Sequence, residues 1–95
     1  MERSEVSRHE VAVYSALVSA EKWLTSADIA TRAVVAPRTA RAHAQKLVNL
    51  GIAEQAEVFP GHRYRLAEFA DKRNRGYLDR LERAADALGM EIPER

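Results

Sequence analysis

Apolar residues recur along this chain in helical stripes, then in a short alternating stretch, then in one longer stripe. Val11, Tyr14, Leu17 and Val18 lie three or four residues apart, which predicts a first helix with one apolar face. Ser7 and Glu10 form an S-x-x-E capping box and place its start near Ser7. Glu21 and Lys22 end it, and Trp23 and Leu24 form a short extended link. Thr25, with Asp28 three residues on, caps a second helix that carries Ala27, Ile29, Ala30 and Ala33. Val34 and Val35 are β-branched and disfavour its continuation, so they read as a tight turn. A third helix opens on Pro37, whose missing N–H is no loss at a first helical position. It closes at Leu50 with Gly51 as a left-handed cap, giving about 14 residues and roughly 21 Å.

Ile52 to Phe59 is rich in strand formers, Pro60-Gly61 is a turn dipeptide, and Arg63 to Leu66 alternates with Tyr64 and Leu66 inward. These segments predict a β-hairpin. A last helix is expected from Glu68 to Leu88, closed by Gly89, with Phe69, Ala70, Tyr77, Leu81, Ala84, Ala85 and Leu88 as its apolar side. Phe69 and Tyr77 are expected to face inward. The fold class is mainly α with a small hairpin, in one domain over residues 1–95: core and hairpin at about 7–66, C-terminal helix at about 68–88.

Composition narrows the function. The chain has 95 residues, 46% hydrophobic and 31% charged, which suits a single core. The absence of cysteine excludes a disulfide framework, a thiolate zinc site and a cysteine nucleophile, and fits a cytoplasmic protein. No apolar run is long enough for a bilayer, and the polar stretch from Met1 to Ser7 is not a signal peptide. There is no G-x-S-x-G, no phosphate-cradling glycine loop and no H-E-x-x-H, so no enzyme, cofactor or small-molecule ligand is expected. His9, His43 and His62 lie on three different elements without metal-ligand spacing, and no metal site is expected. His43 falls on the apolar side of the third helix, as a packed core histidine.

The net charge of +1 conceals an uneven distribution. Between Ile29 and Ala53 there is no acidic residue, while Arg32, Arg38, Arg41 and Lys46 lie inside that window. Such a local positive face suits a polyanionic partner. On a helical wheel Arg38, Arg41, Ala42, Gln45 and Asn49 share one sector of the third helix, opposite Ala40, Ala44, Leu47 and Leu50. Arginine can donate two hydrogen bonds to a guanine edge, and glutamine can pair with adenine in the same bidentate way. Ala42 allows close approach and contact with a thymine methyl. Thr39 and Lys46 flank the sector, where phosphates would lie.

The stretch LTSADIATRAVVAPRTARAHAQKLVNLGIAE, followed by FPGHRYRL, resembles the winged helix-turn-helix of bacterial transcription regulators of the MarR-like and ArsR-like groups. The resemblance covers roughly half the chain, from Leu24 to Leu66. It implies a three-helix core plus a wing and a C-terminal helix, with the helix at Pro37–Leu50 in the major groove of double-stranded DNA. It also implies wing contacts from His62 and Arg63, and a phosphate contact from the backbone N–H of Ser26. Two features depart from the pattern. Ala40 and Ala44 are smaller than the valine and leucine expected there, and the wing is short, with Pro60 to Arg63 at its tip.

The implied function is a sequence-specific, cytoplasmic and nucleoid-associated regulator, a repressor that blocks polymerase by occupying a pseudo-palindromic operator as a homodimer. Leu78, Leu81, Ala85 and Leu88 form a candidate dimer seam at three- and four-residue steps. The same stripe would equally serve to pack on the first helix of its own chain. The alternative function is a winged-helix protein–protein interaction module without DNA affinity.

Overall fold

A computed structural model describes residues 6–58 and 61–93. The element order is α1 (Arg8–Ser19), α2 (Ser26–Ala33), α3 (Pro37–Asn49), β1 (Ala53–Val58), β2 (Gly61–Leu66), α4 (Ala70–Arg73) and α5 (Arg75–Leu88). Both capping boxes form. The Ser7 hydroxyl accepts from the Glu10 N–H at 3.2 Å while the Glu10 carboxylate accepts from the Ser7 N–H at 3.1 Å. Thr25 and Asp28 repeat this pattern at α2, at 3.0 and 3.1 Å. Each box satisfies two helix-terminal donors locally and fixes where its helix begins.

The turn between α2 and α3 reverses at Val34, which sits in the left-handed region at φ 57°. That conformation is costly for a β-branched residue. At the far end of α3, Leu50 is the C-cap and Gly51 takes φ 82°, where a side chain would be strained. The buried side of α3 is Ala40, Ala44 and Leu47, all within the core. The two alanines expose little bulk and let α3 pack closely on α1 and α2. The rest of that core includes Val11, Val13, Leu17, Leu24, Ile29, Ile52 and Tyr64.

β1 and β2 pair antiparallel, with Ala53 opposite Leu66, Gln55 opposite Tyr64 and Glu57 opposite His62. Arg63 therefore faces Ala56, whereas Arg65 faces Glu54. The link at Trp23 and Leu24 is extended as expected and does more than connect. Leu24 and Tyr64 exchange both backbone hydrogen bonds at 2.8 Å, so Leu24 borders the hairpin as a third, one-residue edge. This holds β2 against the start of α2. Phe59 and the Pro60 half of the expected turn lie outside the described residues. Ile52 precedes the strand; it is buried, and its N–H donates to the Leu47 carbonyl at 2.9 Å.

The last helix departs most from expectation, because it is broken in two. Phe69 takes φ 61° and is 63% exposed, so it does not face the core. Asn74, at φ −152°, separates α4 from α5. One amide explains the break. The Asn74 side-chain oxygen accepts from the Tyr77 N–H at 3.2 Å and caps α5, while its Nδ2 donates to the Leu50 carbonyl at 3.2 Å. A polar side chain that satisfies two helix ends outweighs helix continuity. Tyr77 faces inward as expected. Leu78, Leu81 and Ala85 are buried in the chain's own core, and only Leu88 of the expected seam remains exposed, at 41%. The seam is thus largely occupied within one chain, where α5 lies against α1.

Candidate nucleic-acid interface

The outer face of α3 carries Arg38, Arg41, Ala42, Gln45 and Asn49, all exposed, as the helical wheel requires. Gln45 Nε2 donates to Asn49 Oδ1 at 3.3 Å, which aligns the two amides along the helix surface. None of Arg38, Arg41 or Gln45 is drawn into an ion pair among the described residues. The two arginines are therefore ready to present donors without first breaking an ion pair, while Gln45 would turn from Asn49. Thr39 is half-buried beside it.

A groove of about 280 Å³ runs between α2, α3 and the hairpin, lined by Thr25, Ser26, Ala27, Arg41, Gly61, His62, Arg63 and Tyr64. It brings together four residues expected to share a surface: Ser26, Arg41, His62 and Arg63. The Thr25 capping box seats Ser26 in the first turn of α2, where the unpaired backbone N–H groups of a helix start point outward. The strand register places His62 and Arg63 in the first half of β2, beside the hairpin tip. Gln55 Nε2 lies 3.2 Å from His62 Nδ1. With the amide donating, the neutral ring carries its proton on Nε2, as an outward donor. Arg65, by contrast, is held elsewhere. It lies over the Trp23 ring at 4.5 Å and pairs with Glu54 at 3.1 Å.

Lys46 is engaged in a way the helical wheel does not show. Its ammonium lies 2.6 Å from Glu10 Oε2 and 5.5 Å from the centre of the Tyr77 ring. Glu10 is 6% exposed, and its carboxylate also accepts from the Tyr77 hydroxyl. Burial pushes the Glu10 carboxyl up, but the donors from Lys46, Tyr77 and Ser7 and the Lys46 charge outweigh it and leave it below its ordinary range. Burial, then the bond to Glu10, raises the Tyr77 hydroxyl well above its ordinary value. Sequence reasoning assigned Glu10 to a helix cap alone. Its position one turn from Tyr14 on α1 was the available sign that it also faces inward.

His43 is half-buried on α3, with its ring centre 6.4 Å from that of His9. Burial above all lowers its pKa, and Lys46 and His9 add to this against the opposing charge of Glu10. Among the described residues no group of three or more metal-binding side chains comes together. No helix among them is long and apolar enough to cross a membrane.

Three helices, a tight turn between the second and third, and a hairpin that follows the third make this a winged helix-turn-helix fold. Solved structures share it. A protein of the thermoacidophilic archaeon Sulfolobus tokodaii is 23% identical, with 88% of this chain covering 81% of that one at a TM-score of 0.64. A MarR-family transcriptional regulator from Silicibacter pomeroyi is 17% identical, with 93% covering 60% at 0.60. ZitR of Lactococcus lactis, described as a zinc-responsive MarR family member, is 12% identical, with 93% covering 62% at 0.54. The chain thus spans about three fifths of the length of these two regulators. No protein-family model and no curated protein sequence matches the chain.

Proposed function

We propose that this chain binds double-stranded DNA sequence-specifically and acts as a transcription regulator, with α3 in the major groove and the wing beside it. The observation that carries this reading is the groove where Ser26, Arg41, His62 and Arg63 meet, continuous through Arg41 with the acid-free outer face of α3. Arg38, Arg41 and Gln45 read base edges, and Ala42 permits the approach. Ser26, Thr39, His62 and Arg63 meet the phosphate backbone on either side. The MarR-family description of two structural neighbours supports this assignment.

The regulator is a homodimer and represses by occupying its operator. With Leu78, Leu81 and Ala85 inside the core, the surface left for a second copy is the trough of about 500 Å³ beside α5. Val6, Ala84, Ala87 and Leu88 give it an apolar floor, and Arg8, Arg80 and Arg83 rim it. Asp79 and Glu82, on another side of α5, are held by Arg75, so a two-fold axis through the trough sets apolar floor on apolar floor.

The test is selection from a random-sequence DNA library at two salt concentrations. Enrichment of a pseudo-palindrome with half-sites about one helical turn apart is expected. Absence of any enriched sequence would overturn the reading in favour of a protein-interaction module.

A further inference from the structure

Among the described residues, Lys46 is the one cation on α3 that is tied down, and the group that holds it belongs to no surface feature. Glu10 reaches Lys46 on α3, Tyr77 on α5 and the Ser7 backbone of α1 with one carboxylate. A carboxylate this buried is retained only where its charge is met, because desolvation of an unpaired ion is costly. Two of its donors suffice to cap α1 and anchor α5. The third, Lys46, comes from the flank of the helix proposed to enter DNA, at a position where an unheld lysine would reach phosphate.

We propose that Glu10 is a positioning residue for DNA binding: it clamps α3 to α1 and α5 and withholds the Lys46 ammonium from the phosphate backbone. This rests on the DNA-binding reading above. The consequence is a division of labour on α3. Arg38, Arg41 and Gln45 keep their donors for bases, while the sequence-independent part of the affinity is kept low. Each phosphate neutralised by a cation releases counterions and steepens the dependence of binding on salt. A lysine already paired with a carboxylate releases none.

The experiment is the salt dependence of binding to random-sequence duplex DNA by the wild-type chain, Glu10→Gln, Lys46→Gln and the double variant. Glu10→Gln is expected to bind random DNA more tightly, with a log–log slope steeper by about 0.9, the value of one added phosphate contact. Lys46→Gln alone is expected to leave the wild-type slope unchanged. The double variant is expected to return to the wild-type slope, which assigns the gain to Lys46 rather than to a loosened fold. A flatter slope for Lys46→Gln alone, or an unchanged slope for Glu10→Gln, would overturn the proposal and leave DNA binding intact. If Glu10→Gln does not fold, the Lys46→Gln slope alone decides. A wild-type chain that binds no DNA at any salt would instead remove the functional reading, and the proposal with it.

Discussion

Glu10 and Tyr77 lie 67 residues apart and meet in the interior, where the Tyr77 hydroxyl donates to the Glu10 carboxylate. The bond joins the first turn of α1 to the first turn of α5, across the base of α3. Tyr77→Phe removes the donor and keeps the ring. Glu10 retains Lys46 and Ser7, so the loss is that of one charge-assisted bond, about 1–2 kcal/mol. A chemical-denaturation midpoint lowered by that loss divided by the slope, with the slope itself unchanged, is the expected result. No change would mean that the bond is replaced by water.

The same carboxylate shapes the response to acid. Its folded pKa lies below the ordinary 4.5, so in acid the unfolded chain takes up the proton first. Its contribution is therefore fully present above pH 4.5 and is lost as the pH falls below it. His43 works in a higher window. Its folded pKa lies below 6.5, so stability starts to fall as the pH drops through 6.5. Unfolding measured from pH 7 down to 3 should show two losses. Glu10→Gln should shrink the lower, to which Asp28, held below 3.8 by its bonds to Thr25, also contributes, and His43→Gln should remove the upper.

Most of the fold is legible in local sequence because local chemistry decides it. Ser7-Glu10 and Thr25-Asp28 set two helix starts by themselves, Pro37 and Gly51 bracket α3, and the outer face of α3 follows from its period. The break at Asn74 is not local. It depends on an amide meeting the Leu50 carbonyl 24 residues away, which no window around Asn74 contains. The inward turn of Leu78, Leu81 and Ala85 has the same origin. A stripe shows that a face is apolar and not whose core it enters. The pairing of Lys46 is hidden for a related reason, since its partner lies 36 residues earlier on another helix.

Val34 offers a gain in stability. It occupies φ 57° with its side chain 86% exposed, so it has backbone strain and little burial to offset it. Glycine adopts that conformation without the steric cost. Val34→Gly is expected to stabilise the chain by about 1 kcal/mol, after its greater freedom in the unfolded state is counted. A lower thermal midpoint would show that Val34 is held by a contact worth more than the strain.

Arg41 and Arg63 line the same groove from different elements, and their loss should read differently. On the DNA-binding reading, Arg41→Ala removes a base-edge donor at the centre of α3. It should cost about 1–3 kcal/mol and relax preference at one base pair. Arg63→Ala removes a cation beside the wing and should weaken all sequences alike, with a flatter salt slope. Binding profiles of both variants against the selected operator and its single-base mutants make the comparison. Intact discrimination in Arg41→Ala would mean that α3 docks along another face.

The two ends of the α5 stripe separate folding from assembly. Leu81 is fully buried and Leu88 is not. Leu81→Ala should therefore cost about 2–5 kcal/mol of stability, as a cavity in a packed core does. Leu88→Glu changes an exposed position and should shift monomer stability by no more than about 0.5 kcal/mol. It places an acid on the apolar floor of the trough, where a second copy would have to bury it beside Ala84 and Ala87. Sedimentation equilibrium is expected to show a dimer for the wild type, as proposed, and a folded monomer for Leu88→Glu. Operator binding should fall to that of an isolated half-site. A variant that still sediments as a dimer would place the two-fold interface away from this trough.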